Sequence, residues 1–226
     1  MNICFANRTA AGRALAQRLA GCSFAPPVVV LALPRGGVPI GAEVARVLGA
    51  PLDLLIVRKI GAPWQPELAV AAVVDGSHPI VVIDEETASL CGVDNDYIEA
   101  QMLEQLREID RRRRVYLRGR SPVPVEGATV IVVDDGIATG TTVRAALKAL
   151  RQRHPARLVL AVPVAPADVL VRLGAEVDQI VCLAEPEPFH AIGLHYADFH
   201  QVSDDEVLDA LDAAAQSPSG EASAGP

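Results

Sequence analysis

The sequence contains no uninterrupted apolar stretch of the roughly 18 residues that a membrane span requires, so we expect no membrane partner. Residues 1–5 include no basic segment followed by an apolar stretch, so a secretory signal is not supported and the cytoplasm is the expected location. Disorder of the whole chain is excluded, because hydrophobic residues make up 50% of the sequence and charged residues 21%. A globular protein in water is expected.

Cysteine and lysine are both scarce. The cysteines, Cys4, Cys22, Cys91 and Cys182, form no closely spaced pair, so neither a zinc site nor a disulfide framework is indicated and we expect reduced, mostly buried thiols. Only two of the 20 basic residues are lysines. The net charge of −8 argues against a nucleic-acid partner, although the arginines can still form local sites for anions such as phosphate.

Apolar runs that alternate with helical patterns predict an α/β fold. Continuous runs of aliphatic residues are typical of strands buried on both faces, and segments with apolar residues at helical spacing follow them. Such alternation favours a mostly parallel sheet flanked by helices, with ligands at the carboxyl ends of the strands. The predicted strands are 28–33, 52–57, 129–133, 158–162 and 180–183, and the predicted helices are 38–48, 143–150 and 167–173.

Residues 84–120 interrupt this alternation and are predicted to form a helical insertion. The apolar positions of its long helix, 94–116, keep helical spacing, and acidic residues at its start can cap it. Two further strands, 68–74 and 79–83, are predicted before the insertion.

The two ends of the chain frame this core. A short helix is predicted near the beginning, with Thr9 as its cap and Gly21 as its stop. Residues 217–226 are small and polar and are expected to be disordered. The rest, 1–216, is interpreted as a single domain.

The strongest motif is a buried strand that ends in two adjacent acids and a Gly/Thr turn. Asp134 and Asp135 follow the strand 129–133, and the turn opens a helix whose free backbone N–H groups suit a phosphate. The acids suit hydroxyls or a metal, so one ligand with a diol and a phosphate monoester would satisfy both halves. The competing interpretation is a capped turn with two solvated acids. A P-loop and a dinucleotide fingerprint are excluded, since the sequence lacks the required glycine and lysine positions.

This motif resembles the phosphoribosyl-diphosphate (PRPP) motif of the type I phosphoribosyltransferases. The resemblance implies that Asp134 and Asp135 hold the ribose 2- and 3-hydroxyls, and that Mg²⁺ bridges the diphosphate and these hydroxyls rather than binding the protein directly. It also implies that the turn cradles the 5-phosphate through Ile137, Ala138, Thr139, Gly140, Thr141 and Thr142.

A second loop follows the strand 28–33 and consists of Pro34, Arg35, Gly36 and Gly37. Glycines allow the backbone to approach an anion closely, and a guanidinium suits phosphate oxygens. The loop is similar to the diphosphate loop of the guanine and xanthine members of the family, which implies a cis peptide bond between Pro34 and Arg35. The alternative is a glycine turn with an exposed arginine.

A third element, Arg58 and Lys59, resembles the opening of the family's mobile catalytic loop. Two cations leaving a strand would help neutralise a departing diphosphate, and closure of the loop would exclude water. Glu67 either stabilises charge on the incoming base or begins the next strand, and Trp64 is either an anchor of the lid or a surface aromatic.

The resemblance places a small hood over the acceptor at residues 184–203. Phe189, Tyr196 and Phe199 lie there and either stack on a planar acceptor or pack in the core. The family members that accept 6-oxopurines usually have an aspartate at the position of Ala138, so such an acceptor is disfavoured here. His190, His195 and His200 recur every five residues, a spacing that does not suit a metal site on one helix face.

Together these features predict a phosphoribosyltransferase that transfers ribose 5-phosphate from PRPP to a nitrogenous base or amine and releases diphosphate. The alternative is a regulatory protein on the same fold that binds PRPP or a nucleotide without turnover. A homodimer is expected only by analogy with the family.

Overall fold

A computed structural model of the protein describes residues 4–76 and 79–216, apart from the side chains of Glu67 and Gln216. The predicted disordered tail lies outside the described residues. The helices are α1 Arg8–Ala20, α2 Gly37–Leu48, α3 Glu85–Leu90, α4 Asn95–Leu117, α5 Thr141–Arg151, α6 Ala167–Leu173 and α7 Asp204–Gln216. The strands are β1 Val28–Ala32, β2 Leu52–Leu54, β3 Val57–Ala62, β4 Gln65–Val74, β5 Ile80–Ile83, β6 Thr129–Val133, β7 Arg157–Val164 and β8 Gln179–Ala184.

The main sheet has five parallel strands in the order β2-β1-β6-β7-β8, flanked by helices, which confirms the predicted fold class. Strand β6 is buried along its whole length, and β1 is buried from Val29 onward. Both strands therefore consist of continuous aliphatic runs, because both of their faces are covered. Their neighbouring positions place the two predicted ligand loops side by side.

A second sheet, β3-β4-β5, is antiparallel and stands apart from the first. The predicted strand 52–57 is therefore wrong in extent, because β2 ends at Leu54 and the chain enters the second sheet at Val57. Leu55 and Ile56, which lie between β2 and β3 in the sequence, are both buried, so the apolar run continues although the strand does not.

The insertion is helical, as predicted, and contains the expected long helix, α4, together with a short helix, α3, that was not predicted. Helix α4 begins at the cap Asp94, whose carboxylate accepts from the N–H of Tyr97 over 2.9 Å. Its buried face packs on the second sheet, and the hydroxyl of Tyr97 donates to the carbonyl of Gly61 in β3 over 2.9 Å. Arg113 of α4 also forms a buried ion pair with Asp75 at the end of β4. The insertion thus covers one face of the second sheet.

Two smaller predictions need correction. Helix α1 is capped by Asn7 rather than Thr9, because the Asn7 side chain accepts from the N–H of Ala10, whereas Gly21 does end the helix. The cysteines are not mostly buried, since Cys4 is exposed and the other three are of intermediate exposure. No helix among the described residues is long and apolar enough to cross a bilayer.

Candidate functional site

The two predicted ligand loops meet at the carboxyl edge of the main sheet. Strands β1 and β6 are parallel partners with Ala32 opposite Val133, so their following loops leave the sheet together. The N–H of Leu33 donates to the carbonyl of Val133 over 2.9 Å, which extends the pairing one residue beyond β1. The sequence separates these loops by about a hundred residues, and the parallel register joins them.

The glycines of the first loop are required by its contact with the acids. A side-chain carbon at Gly36 would lie 2.0 Å from Oδ2 of Asp135, and one at Gly37 would lie 2.7 Å from the carbonyl oxygen of Val133. Only glycine permits so close an approach. The peptide bond between Pro34 and Arg35 is cis, as the resemblance implied.

Each acid of the pair uses one carboxylate oxygen within the protein. Oδ1 of Asp134 accepts from the N–H of Asp135 over 2.9 Å, and Oδ2 of Asp135 accepts from Nε of Arg8 over 2.8 Å. The other two oxygens, Asp134 Oδ2 and Asp135 Oδ1, accept no hydrogen bond from any other described residue. Every fully buried side-chain oxygen among the described residues has a hydrogen-bond partner. The two free oxygens are therefore not fully buried, and solvent can reach them. The pair therefore offers two acceptors, one on each residue.

The electrostatics of the pair are dominated by burial. Burial raises the pKa of Asp134 well above its ordinary value, and the neighbouring Asp135 carboxylate raises it further. Burial also raises the pKa of Asp135, while the Arg8 guanidinium opposes this through its hydrogen bond and its charge. A ligand that donates hydrogen bonds or carries a cation would stabilise the ionised pair.

The turn after the pair provides unpaired backbone donors. Gly140 has a left-handed conformation with φ of 79°, and α5 begins directly after it. The N–H groups of Ala138, Thr139, Gly140, Thr141 and Thr142 have no acceptor among the described residues. The N–H of Ile137, in contrast, donates to the carbonyl of Val164 over 2.9 Å, and its side chain is buried, so this residue anchors the turn. Five amides at a helix N-terminus form an environment suited to a phosphate.

The predicted cationic residues occupy three different places. Arg35 lies beside the first turn of α7, with Nη1 3.6 Å from Oδ1 of Asp204 and its side chain 32% exposed. Arg58 and Lys59 are neighbours in β3, so they point to opposite faces of the second sheet. Arg58 donates from Nε to Oε1 of Gln105 in α4 over 3.0 Å, whereas Lys59 is exposed on the other face.

Lys59 lines a cleft of about 650 Å³ between the second sheet and the N-terminal end of α5. The turn residues Thr139, Gly140 and Thr141 line the same cleft, together with Arg144 of α5. Of the two predicted lid cations, Lys59 thus lines the same cleft as the turn 137–142, whereas Arg58 faces α4. Glu67 lies in β4, but its side chain is outside the described residues. Trp64, at the tip of the β3–β4 hairpin, is 78% exposed.

The aromatic residues of the hood pack against the protein. The hydroxyl of buried Tyr196 donates to the carbonyl of Asp135 over 2.6 Å, and its ring packs on Phe199. Phe189 stacks on His195 with ring centroids 5.6 Å apart. In this structure the three rings therefore pack within the protein, as the core-packing alternative expected.

Sequence reasoning missed Arg8, the residue that binds Asp135. It lies 127 positions from its partner, so no local pattern connects them. The helix dipole would have been a weak signal, because Arg8 occupies the first turn of α1, but the predicted cap at Thr9 placed Arg8 outside the helix.

Three comparisons with known proteins agree with this geometry. A family model described as a phosphoribosyl transferase domain matches residues 6–184. A protein of Mycobacterium tuberculosis whose name contains the words phosphoribosyl transferase is 46% identical over 210 residues, in strains CDC 1551 and H37Rv alike. The match covers 93% of this chain and 47% of the relative, so the chain spans about half the length of the relatives it matches. The crystal structure of TT1426 from Thermus thermophilus superposes with a TM-score of 0.81 at 40% identity, covering 92% of this chain and 98% of that one.

Proposed function

This chain belongs to the phosphoribosyltransferase family, and we propose that it transfers ribose 5-phosphate from PRPP to a nitrogenous base or amine with release of diphosphate. The observation that carries the proposal is the pair of free carboxylate oxygens, Asp134 Oδ2 and Asp135 Oδ1, at the edge of the sheet. Two acceptors on adjacent residues suit the two hydroxyls of a vicinal diol, each of which donates one charge-assisted hydrogen bond.

The other parts of PRPP have candidate sites around the acidic pair. The five unpaired amides of 138–142 would hold the 5-phosphate. The loop of Pro34, Arg35, Gly36 and Gly37 would hold the diphosphate, because Gly36 brings the loop against Asp135 at the diol site and Arg35 supplies a guanidinium. Arg35 would exchange its long contact with Asp204 for the phosphate oxygens.

Magnesium fits this arrangement as an ion carried by the substrate. Mg²⁺ commonly uses one or two carboxylates together with phosphate oxygens and water, and Asp134 and Asp135 offer two carboxylates beside the proposed phosphate sites. The free oxygens of Asp134 and Asp135 would face the bound ion, and the ion would neutralise charge on the departing diphosphate.

Catalysis would consist of positioning and electrostatic stabilisation. The acidic pair and the phosphate turn would fix the sugar at both ends. Lys59, exposed in the cleft beside the turn, would approach the leaving diphosphate when the second sheet closes over the site. Arg58 would support the lid through its contact with Gln105. Glu67 is proposed as a stabiliser of charge on the acceptor.

The acceptor site would lie between the turn and the hood. Ala138 is exposed there and offers no carboxylate, so we propose an acceptor other than a 6-oxopurine. The partners we propose are thus PRPP and a base or amine, with no nucleic acid. A cytoplasmic homodimer is proposed by analogy with the family, and light scattering of the purified protein would measure its mass.

The second candidate function is a regulator that binds PRPP or a nucleotide without turnover. The raised pKa values of Asp134 and Asp135 favour a binding site of some kind, but they do not distinguish binding from catalysis.

A screen of purines, pyrimidines and small amines with Mg-PRPP, followed by diphosphate release, separates the two functions. Release that depends on one acceptor, and that is lost in Lys59→Ala, supports the transferase. Tight binding of PRPP with no release across the panel would support the regulator and contradict the transferase.

A further inference from the structure

The side chain of Arg8 lies beneath the acidic pair and is held by three contacts. Its Nε donates to Asp135 Oδ2 over 2.8 Å, and its Nη1 donates to the carbonyl of His200 over 2.7 Å. Its guanidinium carbon lies 3.9 Å from the centre of the Phe199 ring. With 8% of its surface exposed, Arg8 is a buried cation fixed between α1, the acidic pair and the hood.

These contacts decide which oxygen of Asp135 is available. Arg8 binds Oδ2, the oxygen that also lies against Gly36, and so leaves Oδ1 with no hydrogen bond from any other described residue. A carboxylate with no fixed partner can rotate, whereas one held by a buried guanidinium presents a single oxygen in a constant direction. Preorganisation of this kind favours binding, because the ligand does not have to order the group that receives it.

We propose that Arg8 is a positioning residue for the sugar: by holding Oδ2 of Asp135, it directs Oδ1 toward one hydroxyl of a vicinal diol. The inference rests on the proposed function. Arg8 acts through Asp135 and not on the ligand, since its Nε and Nη1 donate to the protein and the side chain is buried.

The position of Arg8 in α1 supports a role beyond packing. A cation in the first turn of a helix opposes the helix dipole, and burial of a charge costs more than burial of an apolar side chain of similar size. A residue needed only to fill the space beneath Phe199 would not require a charge.

The test compares Arg8→Met with the matched control Arg13→Met in the same helix. Arg13 has a side chain that is 65% exposed and pairs with Glu43 at the surface, away from the acidic pair. Three probes are titrated by calorimetry: Mg-PRPP, ribose 5-phosphate and Mg-diphosphate. The first two carry the diol, and the third does not.

We expect Arg8→Met to lower the affinity for both diol probes by about 10- to 100-fold, which corresponds to the loss of one charge-assisted hydrogen bond. The affinity for Mg-diphosphate should stay within about twofold of the wild-type value. Arg13→Met should leave all three unchanged. In an Asp135→Asn background, Arg8→Met should cost less than about threefold further, because the oxygen it positions is already altered. Arg8→Lys keeps the charge but lacks the planar guanidinium. It should lose less affinity than Arg8→Met, and it should lose affinity for the diol probes alone.

Two outcomes would overturn the assignment while the proposed function stands. Equal losses for all three probes would show a structural role, and wild-type affinity for the diol probes in folded Arg8→Met would show no role. If Arg8→Met does not fold, as judged by circular dichroism, the probe selectivity of Arg8→Lys decides instead. A wild-type protein that binds neither diol probe would remove the proposed function, and the assignment of Arg8 with it.

Discussion

The two adjacent acids should respond to the same substitution with opposite changes in stability. In the ligand-free protein Asp134 has no cationic hydrogen-bond partner, and burial together with the Asp135 carboxylate raises its pKa. Burial raises the pKa of Asp135 as well, but Asp135 forms an ion pair with Arg8 at 2.8 Å, and the buried Arg8 charge depends on that pair. Replacing Asp134 by asparagine removes an unfavourable charge, whereas replacing Asp135 leaves the buried Arg8 charge without its counterion.

The expected magnitudes follow from these environments. Asp134→Asn keeps an oxygen that accepts from the N–H of Asp135. We therefore expect the free energy of unfolding at pH 7 to rise by about 1 kcal/mol, the order of the free-energy cost of ionising a buried carboxylate. Asp135→Asn should lower it by about 1–3 kcal/mol, less than a broken buried pair costs, because asparagine still accepts from Arg8. For a chain of this size each kcal/mol corresponds to a change of about 2–4 °C in melting temperature.

Thermal unfolding of the wild type and both variants, without ligand and across a pH series, measures these differences. A raised pKa means that the carboxyl of Asp134 opposes folding in full above its folded pKa, that this cost shrinks as the pH falls below the folded pKa, and that it vanishes below the pKa of the unfolded chain. The advantage of Asp134→Asn should therefore be present at pH 7 and shrink toward acid pH. Shifts of the same sign in the two variants, or an advantage that grows toward acid pH, would refute the reasoning.

Three further predictions concern other residues. In calorimetric titrations Arg35→Ala should lower the affinity for PRPP far more than the affinity for ribose 5-phosphate, because only PRPP carries the diphosphate assigned to Arg35. Equal losses of affinity would remove that assignment. Lys59→Ala should lower kcat more than it lowers the affinity for PRPP, whereas Arg58→Ala should retain most of the turnover. The reason is that Lys59 lines the cleft and Arg58 faces α4. Steady-state kinetics with an identified acceptor measure both variants, and equal effects would contradict this prediction. Hydrogen bonds to Glu206 and Asp198 raise the pKa of His200 from 6.5. Its contribution to stability is therefore present below pH 6.5 and is lost as the pH rises through the raised pKa. A difference in melting temperature between wild type and His200→Gln that grows toward alkaline pH would contradict this.

The sequence predicted those parts of the fold and site that depend on local patterns. Strands β1 and β6 are recognisable because both of their faces are buried, and the loops after them are recognisable because glycines and acids follow directly. Since parallel neighbouring strands end at the same edge, the meeting of the two loops follows once the strands are known.

Other features depend on tertiary contacts that no local pattern encodes. The apolar run continues through Leu55 and Ile56, so nothing in the sequence marks where the main sheet ends and the second sheet begins. The opposite directions of Arg58 and Lys59 follow from strand geometry, but the prediction placed these residues in a loop. The pairing of Arg8 with Asp135 joins residues 127 positions apart and required the folded structure.

The central claim is that Asp134 and Asp135 together hold the ribose diol of PRPP. Calorimetric titration of Mg-PRPP into wild type and into the variant with both residues changed to asparagine tests it most directly. Loss of two charge-assisted hydrogen bonds of about 1.5–3 kcal/mol each predicts affinity lower by tens- to thousands-fold, allowing for non-additivity, in a variant that remains folded. Wild-type affinity in the folded double variant would show that the pair is a solvated turn and would contradict the account.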